Sequence, residues 1–340
     1  MKTRHFDRIG DCGVTLTEIG FGTAPMANLY RPVDVQDARS ILELAGEKGF
    51  RYFDIAPLYC LSLTENRLKG FFRGKPRDVI VVSTKVGQLL DECGVEDRAG
   101  IRKWFDGPCR REFYVYSYDG VMRSVETSLE RMGLDRIAIL YGHDIDTYTD
   151  GLQDSMEQHL RAVLGGGHKA LVELREQWVT AGFEARTEGM VTCRMAGRSW
   201  RPGHHPSCRA LHPARARGVD ALPSQMCRTR RRDCHQPPLQ LGHLATGPRE
   251  GGALQSRSRA GLDPRPGALD RPGVSAPWCA PRQRCVSVSG VPPAVFSEIP
   301  GRKALTKMTS NLEPANAVMP TALWADLMSD GLLLTNAPTP

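Results

Sequence analysis

Three strand-like stretches of this chain each end in side chains that can move or hold a proton. RYFDIAPLY at 51–59 carries Asp54 and Tyr59, VIVVSTK at 79–85 ends on Lys85, and AILYGHD at 138–144 delivers His143. A carboxylate, a phenol, an ammonium and an imidazole at the C-terminal ends of successive buried strands are the sequence image of a parallel α/β barrel, whose catalytic groups project from that end. Singly, each has an ordinary alternative: Asp54 as a strand-end cap, Lys85 as a solvated lysine, His143 as a satisfied core histidine. Their joint placement carries the functional reading.

Such groups must be positioned by alternating helices. Asp34 and Asp37 open a predicted helix with Ala38, Ile41, Leu42 and Ala45 on one face and Gly49 beyond its end. Thr64 is expected to cap a second helix running through Phe72, and Asp119 a third whose Val121, Met122, Val125, Leu129 and Met132 form one stripe. Residues 5–23 suggest a hairpin leading into the first barrel strand, and further strands are expected at 51–56, 79–84 and 137–142. Strand and helix alternating through short connections implies parallel pairing with right-handed winding. The segment from about 88 to 117 exceeds an ordinary connection and is expected to act as a specificity loop or lid. Leu160 to Gln177 reads as one more helix with a Gly-rich interruption.

GFGTAPMANLY, FDIAPLY, VVSTKVG and YSYDGVMRSVETSLERMGLDRIAILYGHD resemble the aldo-keto reductases, in particular their pyridoxal, aldose and fucose dehydrogenase branch. The resemblance is dense over residues 5–177. It implies a (β/α)8 TIM barrel and an oxidoreductase that uses NAD or NADP on an aldose or a pyridoxal-like alcohol or carbonyl. It also implies a catalytic set of Tyr59, Lys85, Asp54 and His143, with Tyr59 as the proton-transfer group. A free phenol titrates near pH ~10, about three units too high for neutral work, which corresponds to roughly 4 kcal/mol. An ammonium about 4 Å away supplies on the order of 4 kcal/mol at an effective dielectric near 20. Lys85 would be that ammonium, Asp54 would keep it charged and oriented, and a neutral His143 would donate to the substrate oxygen.

For the cofactor, Gly22 and Thr23 match the family's first strand beside the nicotinamide, and Gly301, Lys303 and Asn311 fall on its phosphate and adenine segment. There Lys303, Ala304 and Lys307 stand where the family has Arg, Ser and Gln. Beside the tyrosine the family's YGxG becomes Tyr59, Cys60, Leu61, Ser62, a change that costs more if the backbone there has a positive φ. Neither a GxGxxG nor a P-loop occurs, which fits a nicotinamide held by barrel loops.

After about Trp178 the character of the chain changes. Tyr is absent beyond Tyr148, no Ile occurs between Ile145 and Ile299, no Lys between Lys169 and Lys303, and Arg, Pro and Gly dominate 178–290. One reading is an intrinsically disordered linker, since this composition buries too little apolar surface to offset chain entropy. The sharper reading is out-of-frame text. A codon assignment exists under which Cys227–Leu244, CRTRRRDCHQPPLQLGHL, slipped by one base becomes AARGVAIVTNRPFNSGIL, similar to the sixth strand and following loop of the same family. LATGPREG at 244–251 and VFSEIPG at 295–301 look like the family in frame, and PTALWADLMSDGLL gives a capped helix with Leu323, Trp324 and Leu327 on one face. The expected organisation is therefore a first half-barrel at 1–177, a frame-disrupted segment at 178–290 and a cofactor-segment remnant with a helix at 291–340. As written, the chain is expected to be largely insoluble or partly unfolded, to bind no NAD(P) and to lack dehydrogenase activity.

The 340 residues carry a net charge of +7 and are 41% hydrophobic. Ten cysteines in so long a chain do not make a disulfide scaffold, and six of them lie at Cys193 to Cys285. MKTRHFDRIG is followed by no apolar h-region, and no apolar run reaches the roughly 18 residues of a membrane span, so a cytoplasmic protein without a membrane partner is expected. The alternative function is a non-enzymatic product whose arginines, as at Arg228–Arg232, bind nucleic acid through phosphates alone. No specific nucleic-acid partner is expected, only a small alcohol or carbonyl substrate. His204, His205, Cys208, Cys227, Cys234 and His235 match no usual zinc spacing, and no metal site is expected.

Overall fold

The computed structural model describes residues 3–6, 14–29, 31–94, 104–142, 145, 153–187, 207–208, 233–235, 253–254, 257–258, 295–299, 322, 325 and 329. His143, Gly301, Lys303 and Asn311, and the helix face of Leu323, Trp324 and Leu327, lie outside them. The chain divides into two compact units, Met1–Cys208 with Gly301–Lys307, and Arg209–Pro300 with Met308–Pro340.

The first unit opens with an antiparallel hairpin, β1 (Thr3–Phe6) on β2 (Val14–Thr17), followed by the short strand β3 (Phe21–Gly22). Helix α1 (Val35–Glu47) forms as its residue pattern demands. Asp34 is its N-cap, accepting from the Gln36 amide at 2.7 Å, and Ala38, Ile41, Leu42 and Ala45 are its buried face. Gly49 then turns the chain at φ 79°, a left-handed conformation that glycine adopts without crowding.

Strand β4 (Tyr52–Asp54), helix α2 (Leu63–Phe72) and strand β5 (Val81–Val86) follow. Phe53 packs on the α2 rings of Phe71 and Phe72 at 5.4 and 5.9 Å, and on Phe21 of β3 at 5.6 Å. Burying one such side chain contributes about 1.5–3 kcal/mol, so this phenylalanine cluster is a main seam between sheet and helix. The segment at 88–117 contains an antiparallel pair, β6 (Gln88–Glu92) on β7 (Arg110–Tyr114). Helix α3 (Tyr118–Met132) and strand β8 (Ile139–Gly142) complete the next unit.

Beyond them α4 (Gln153–Ala162) passes through a π-helical turn at Val163–Gly167 into α5 (His168–Glu176). That turn is the Gly-rich interruption read from the sequence. A Cβ on Gly167 would lie 2.5 Å from the Tyr116 carbonyl oxygen, so glycine is what lets the turn approach the start of α3.

Two helix caps differ from expectation. Ser62, not Thr64, precedes α2, because Thr64 sits inside the first turn with its hydroxyl drawn to the Tyr59 carbonyl at 3.3 Å. Ser117, not Asp119, caps α3, its hydroxyl accepting from the Gly120 amide at 3.2 Å, and Asp119 lies in the first turn where a negative charge suits the helix dipole.

The strand expected to be missing after Trp178 is present as β9 (Gly182–Thr187), and β10 (Ser207–Cys208) pairs beside it. The strands therefore run past the boundary placed at 177, because the alternation of Phe183 and Ala185 with Glu184 and Arg186 is short and carries only one large apolar residue. The sheet order is β10-β9-β8-β5-β4-β3, every neighbour parallel, the sequential arrangement of a (β/α) barrel wall.

The second unit contains β11 (Asp233–His235) parallel to β14 (Val295–Glu298), with Ser297 and Ile299 buried, and the antiparallel pair β12 (Ala253–Leu254) and β13 (Arg257–Ser258).

Candidate active site

The site grows from strand register. Gly22 pairs with Asp54 and Asp54 with Ser83, while Lys85 pairs with Tyr141 two residues further along, so four neighbouring strands bring their C-terminal ends together in a stagger. Alternation puts Tyr52 with Asp54 and Ser83 with Lys85 on the same side of the sheet. The Lys85 ammonium reaches across to Asp54 Oδ1 at 2.6 Å and donates also to the Ile55 carbonyl at 2.7 Å. Both charged side chains are fully buried. Removing two charges from water is expensive, and a pair of this kind persists only with extra hydrogen bonds. Here the Ile55 carbonyl and the Ser83 hydroxyl, which donates to Asp54 Oδ1 at 2.6 Å, supply them.

Two rings flank the Lys85 ammonium, Tyr141 at 5.3 Å and Tyr59 at 5.7 Å to their centroids. A desolvated cation beside a phenol lowers the free energy of the phenolate, so the arrangement can hold or release a proton at Tyr59. Gly87, two residues after Lys85, has φ 91°, and a Cβ there would lie 2.0 Å from the Tyr116 ring. Only glycine lets the strand leave the site at that point.

Tyr59 itself rides on a strained turn. Cys60, Leu61 and Ser62 have φ of 50°, 52° and 78°, three successive left-handed residues, none of them glycine. Each costs about 1–2 kcal/mol relative to ordinary backbone. The family's glycines at 60 and 62 have their physical reason here, and in this chain the strain is held by neighbours. The Cys60 thiol donates to the Phe105 carbonyl at 3.3 Å, Arg110 donates to Ser62 Oγ, and the Trp104 ring packs against Tyr59 at 5.9 Å. The segment before the hairpin's second strand thus covers the tyrosine.

That segment is itself anchored. Trp104 bridges to Leu29, Phe105 donates its amide to the Asn28 carbonyl at 3.1 Å, and Asn28 Nδ2 donates to the Phe105 carbonyl at 2.9 Å. Arg67 fixes the underlying loop, donating to Asn28 Oδ1 at 3.2 Å and to the carbonyls of Val33 and Met26. Behind α2, Glu65 is fully buried against Arg131, and burial raises its carboxyl above the usual range despite that guanidinium.

Of the residues singled out from sequence, Asp54, Lys85 and Tyr59 come together, and Gly22 and Thr23 lie at the adjoining strand end. Thr23 donates its hydroxyl to the Asp54 carbonyl at 2.8 Å, tying β3 to β4. Sequence reasoning missed Tyr52, Ser83, Tyr141, Trp104 and Arg110. The first two stood two positions before Asp54 and Lys85, a spacing that already places them on the same face.

A parallel α/β wall with a buried acid–lysine pair beside a tyrosine places the chain among barrel proteins of the (β/α) class. The model of the Aldo/keto reductase family matches residues 18–188, half of the chain, and the chain belongs to that family. It is 41% identical to pyridoxal 4-dehydrogenase of Microbacterium luteolum over 196 residues, 54% of this chain and 55% of that protein. It is 40% identical to D-threo-aldose 1-dehydrogenase of Pseudomonas sp over 136 residues, 39% and 41% of the two chains. The chain spans about half the length of these curated relatives. Among solved structures, the holo form of aldo-keto reductase AKR11C1 from Bacillus halodurans superposes with a TM-score of 0.63 at 19% identity, covering 100% of this chain and 98% of that one. Glycerol dehydrogenase AKR11B4 from Gluconobacter oxydans gives 0.67 at 14%, covering 99% and 97%. These two likenesses concern the fold, a (β/α)8 barrel. Among the described residues no helix is long and apolar enough to cross a membrane.

Proposed function

We propose that this lineage is an NAD- or NADP-dependent oxidoreductase that oxidises the alcohol of an aldose or pyridoxal-like substrate, or reduces the matching carbonyl. The observation that carries this is the buried Asp54–Lys85 pair beside Tyr59. The donor set fits a nicotinamide reaction, which needs a proton delivered to, or taken from, the oxygen of the reacting carbon. When bound, the nicotinamide supplies or accepts the hydride.

In the oxidative direction Tyr59, as phenolate, takes the hydroxyl proton as the hydride leaves the same carbon. In the reductive direction the Tyr59 phenol gives its proton to the oxygen on which charge develops. Lys85 stays protonated throughout and stabilises the phenolate, while Asp54 keeps the ammonium in place. His143 is the proposed donor that orients the substrate oxygen, and Gly301, Lys303 and Asn311 are the proposed phosphate and adenine contacts. Pyridoxal-like and aldose substrates are favoured by the two curated relatives above, both dehydrogenases by name.

The interval at 178–290 is proposed to carry out-of-frame text, since Ile and Lys vanish from it and the family match ends at codon 188. The test uses protein from a gene whose frame is restored beyond that codon, assayed by reduced-nicotinamide absorbance with pyridoxal-type alcohols and with aldoses. Turnover on at least one class is expected. Absence of nicotinamide-dependent turnover on both refutes the reading.

A further inference from the structure

Beneath the Asp54–Lys85 pair lies a line of buried hydroxyls that the proton transfer at Tyr59 does not itself require. Ser83 Oγ donates to Asp54 Oδ1 at 2.6 Å, Tyr52 Oη donates to Ser83 Oγ at 2.9 Å, and Tyr52 Oη lies 3.2 Å from Tyr141 Oη. Tyr52, Ser83 and Tyr141 are all fully buried, on three successive strands of the wall. Barrel interiors are ordinarily filled by bulky branched apolar side chains, so two phenols and a serine in contact there call for a purpose.

The direction of the line follows from its end. An ionised carboxylate has no proton, so the Ser83 proton is committed to Asp54 and Ser83 can only accept from Tyr52. The Tyr52 proton is then spent on Ser83, which leaves Tyr141 as the donor between the two phenols. Every proton points toward the carboxylate, and hydroxyls aligned in this way polarise one another, by about 10–30% per bond.

We propose that Tyr141, Tyr52 and Ser83 form a one-way hydroxyl relay that holds Asp54 ionised and in register with Lys85, and so positions the ammonium beside Tyr59. These three are positioning residues, since none is proposed to touch substrate. The inference rests on the reading of Tyr59, Lys85 and Asp54 given above, and it names residues outside that set. A core that merely satisfied its own hydroxyls would lose stability on their removal and leave the tyrosine unchanged. The relay makes a different demand. Weakening the support of the Asp54 anion weakens the charge on Lys85, and the Tyr59 phenol must then become harder to ionise.

The test is a spectrophotometric pH titration of the Tyr59 phenol in the full chain, read as the difference between each protein and its Tyr59→Phe counterpart, with a thermal melt of each. It needs neither cofactor nor substrate. Ser83→Ala is expected to move the phenol upward by roughly half a unit to one unit. Tyr52→Phe should move it less in the same direction and Tyr141→Phe least, while Ser83→Thr, which keeps the hydroxyl, should titrate as the parent does. Thr84→Val is the control, because Thr84 is buried with no hydrogen-bond partner for its hydroxyl. It should alter the melt alone. If Ser83→Ala fails to fold, Tyr52→Phe, which removes a single oxygen, decides the matter. An unmoved phenol in Ser83→Ala and Tyr52→Phe, or a parent phenol already at its ordinary value, overturns the relay. Graded shifts in a restored protein that turns over no nicotinamide would keep the relay and refute the function, and turnover with unmoved phenols would do the reverse.

Discussion

The stretch that matches the family and the stretch after it draw on different residues. Over 18–188 apolar residues recur at helical or strand spacing, and the elements they build carry Asp54 and Lys85 near strand ends, with Tyr59 on the turn after Asp54. From there to about 290, Arg, Pro and Gly replace Ile, Lys and Tyr, and the periodicity is gone. The comparison teaches how the chemistry is partitioned along a barrel of this kind. The residues proposed to handle the proton come from the ends of early strands, whereas those proposed to hold the cofactor's phosphates and adenine, Gly301, Lys303 and Asn311, come late. On that proposal one half can keep its buried Asp54–Lys85 pair while the means of binding the cofactor is lost.

The sharpest way to break this contrast is to restore the second half. The chain as written should give no saturable quenching of NAD(P)H fluorescence, and the frame-restored protein should give it. Saturable quenching by the unrestored chain would show that cofactor binding does not depend on restoring the frame.

Within the first half the largest single effect is expected at Lys85. Lys85→Met leaves the Asp54 carboxylate buried and unpaired, a loss of about 3–5 kcal/mol that a denaturant melt would read. A change below about 1 kcal/mol would mean that water reaches the carboxylate and the pair is not truly buried.

The left-handed turn at 60–62 gives a smaller and more local comparison, between packing and backbone strain. Cys60→Val conserves apolar volume but puts a branched side chain at a positive φ, and should cost about 1–3 kcal/mol. Cys60→Gly should stay within about 1 kcal/mol of the parent, because relieved crowding offsets the lost contacts and the added chain flexibility. Equal costs for the two would remove strain from the account.

Sequence reading succeeded where a signal was local and failed where the partner was distant. The buried face of α1 was legible because Ala38, Ile41, Leu42 and Ala45 repeat at helical spacing after an Asp cap. Asp54, Lys85 and Tyr59 were legible through strand ends and family text. Trp104 and Arg110 were not, since what brings them to Tyr59 and Ser62 is the folding back of the hairpin. The caps at Ser62 and Ser117 were misplaced because Thr64 and Asp119 are equally good cap types, and tertiary contacts chose between them. Strand β9 escaped because its alternation is short, with only Phe183 and Ala185 as apolar positions between Glu184 and Arg186.

The smallest effect expected is a pH slope from Glu65. Burial raises its carboxyl above the ordinary value in the folded state. The folded state thus holds its proton more tightly than the unfolded state does, and the stabilisation is full below the ordinary carboxyl range and lost as pH rises through the raised value. Denaturant midpoints should fall over that window, and Glu65→Gln should flatten the fall. An unchanged slope in Glu65→Gln would assign it to another group.

The central claim is that Tyr59 moves the proton under the control of Lys85. Its most direct test is nicotinamide-dependent turnover by the frame-restored protein and by its Tyr59→Phe variant, which loses one oxygen atom from the ring. A fall of roughly 10²–10⁴-fold in turnover, with reduced-nicotinamide binding preserved, is the predicted result. Turnover in Tyr59→Phe equal to that of its parent would contradict the account.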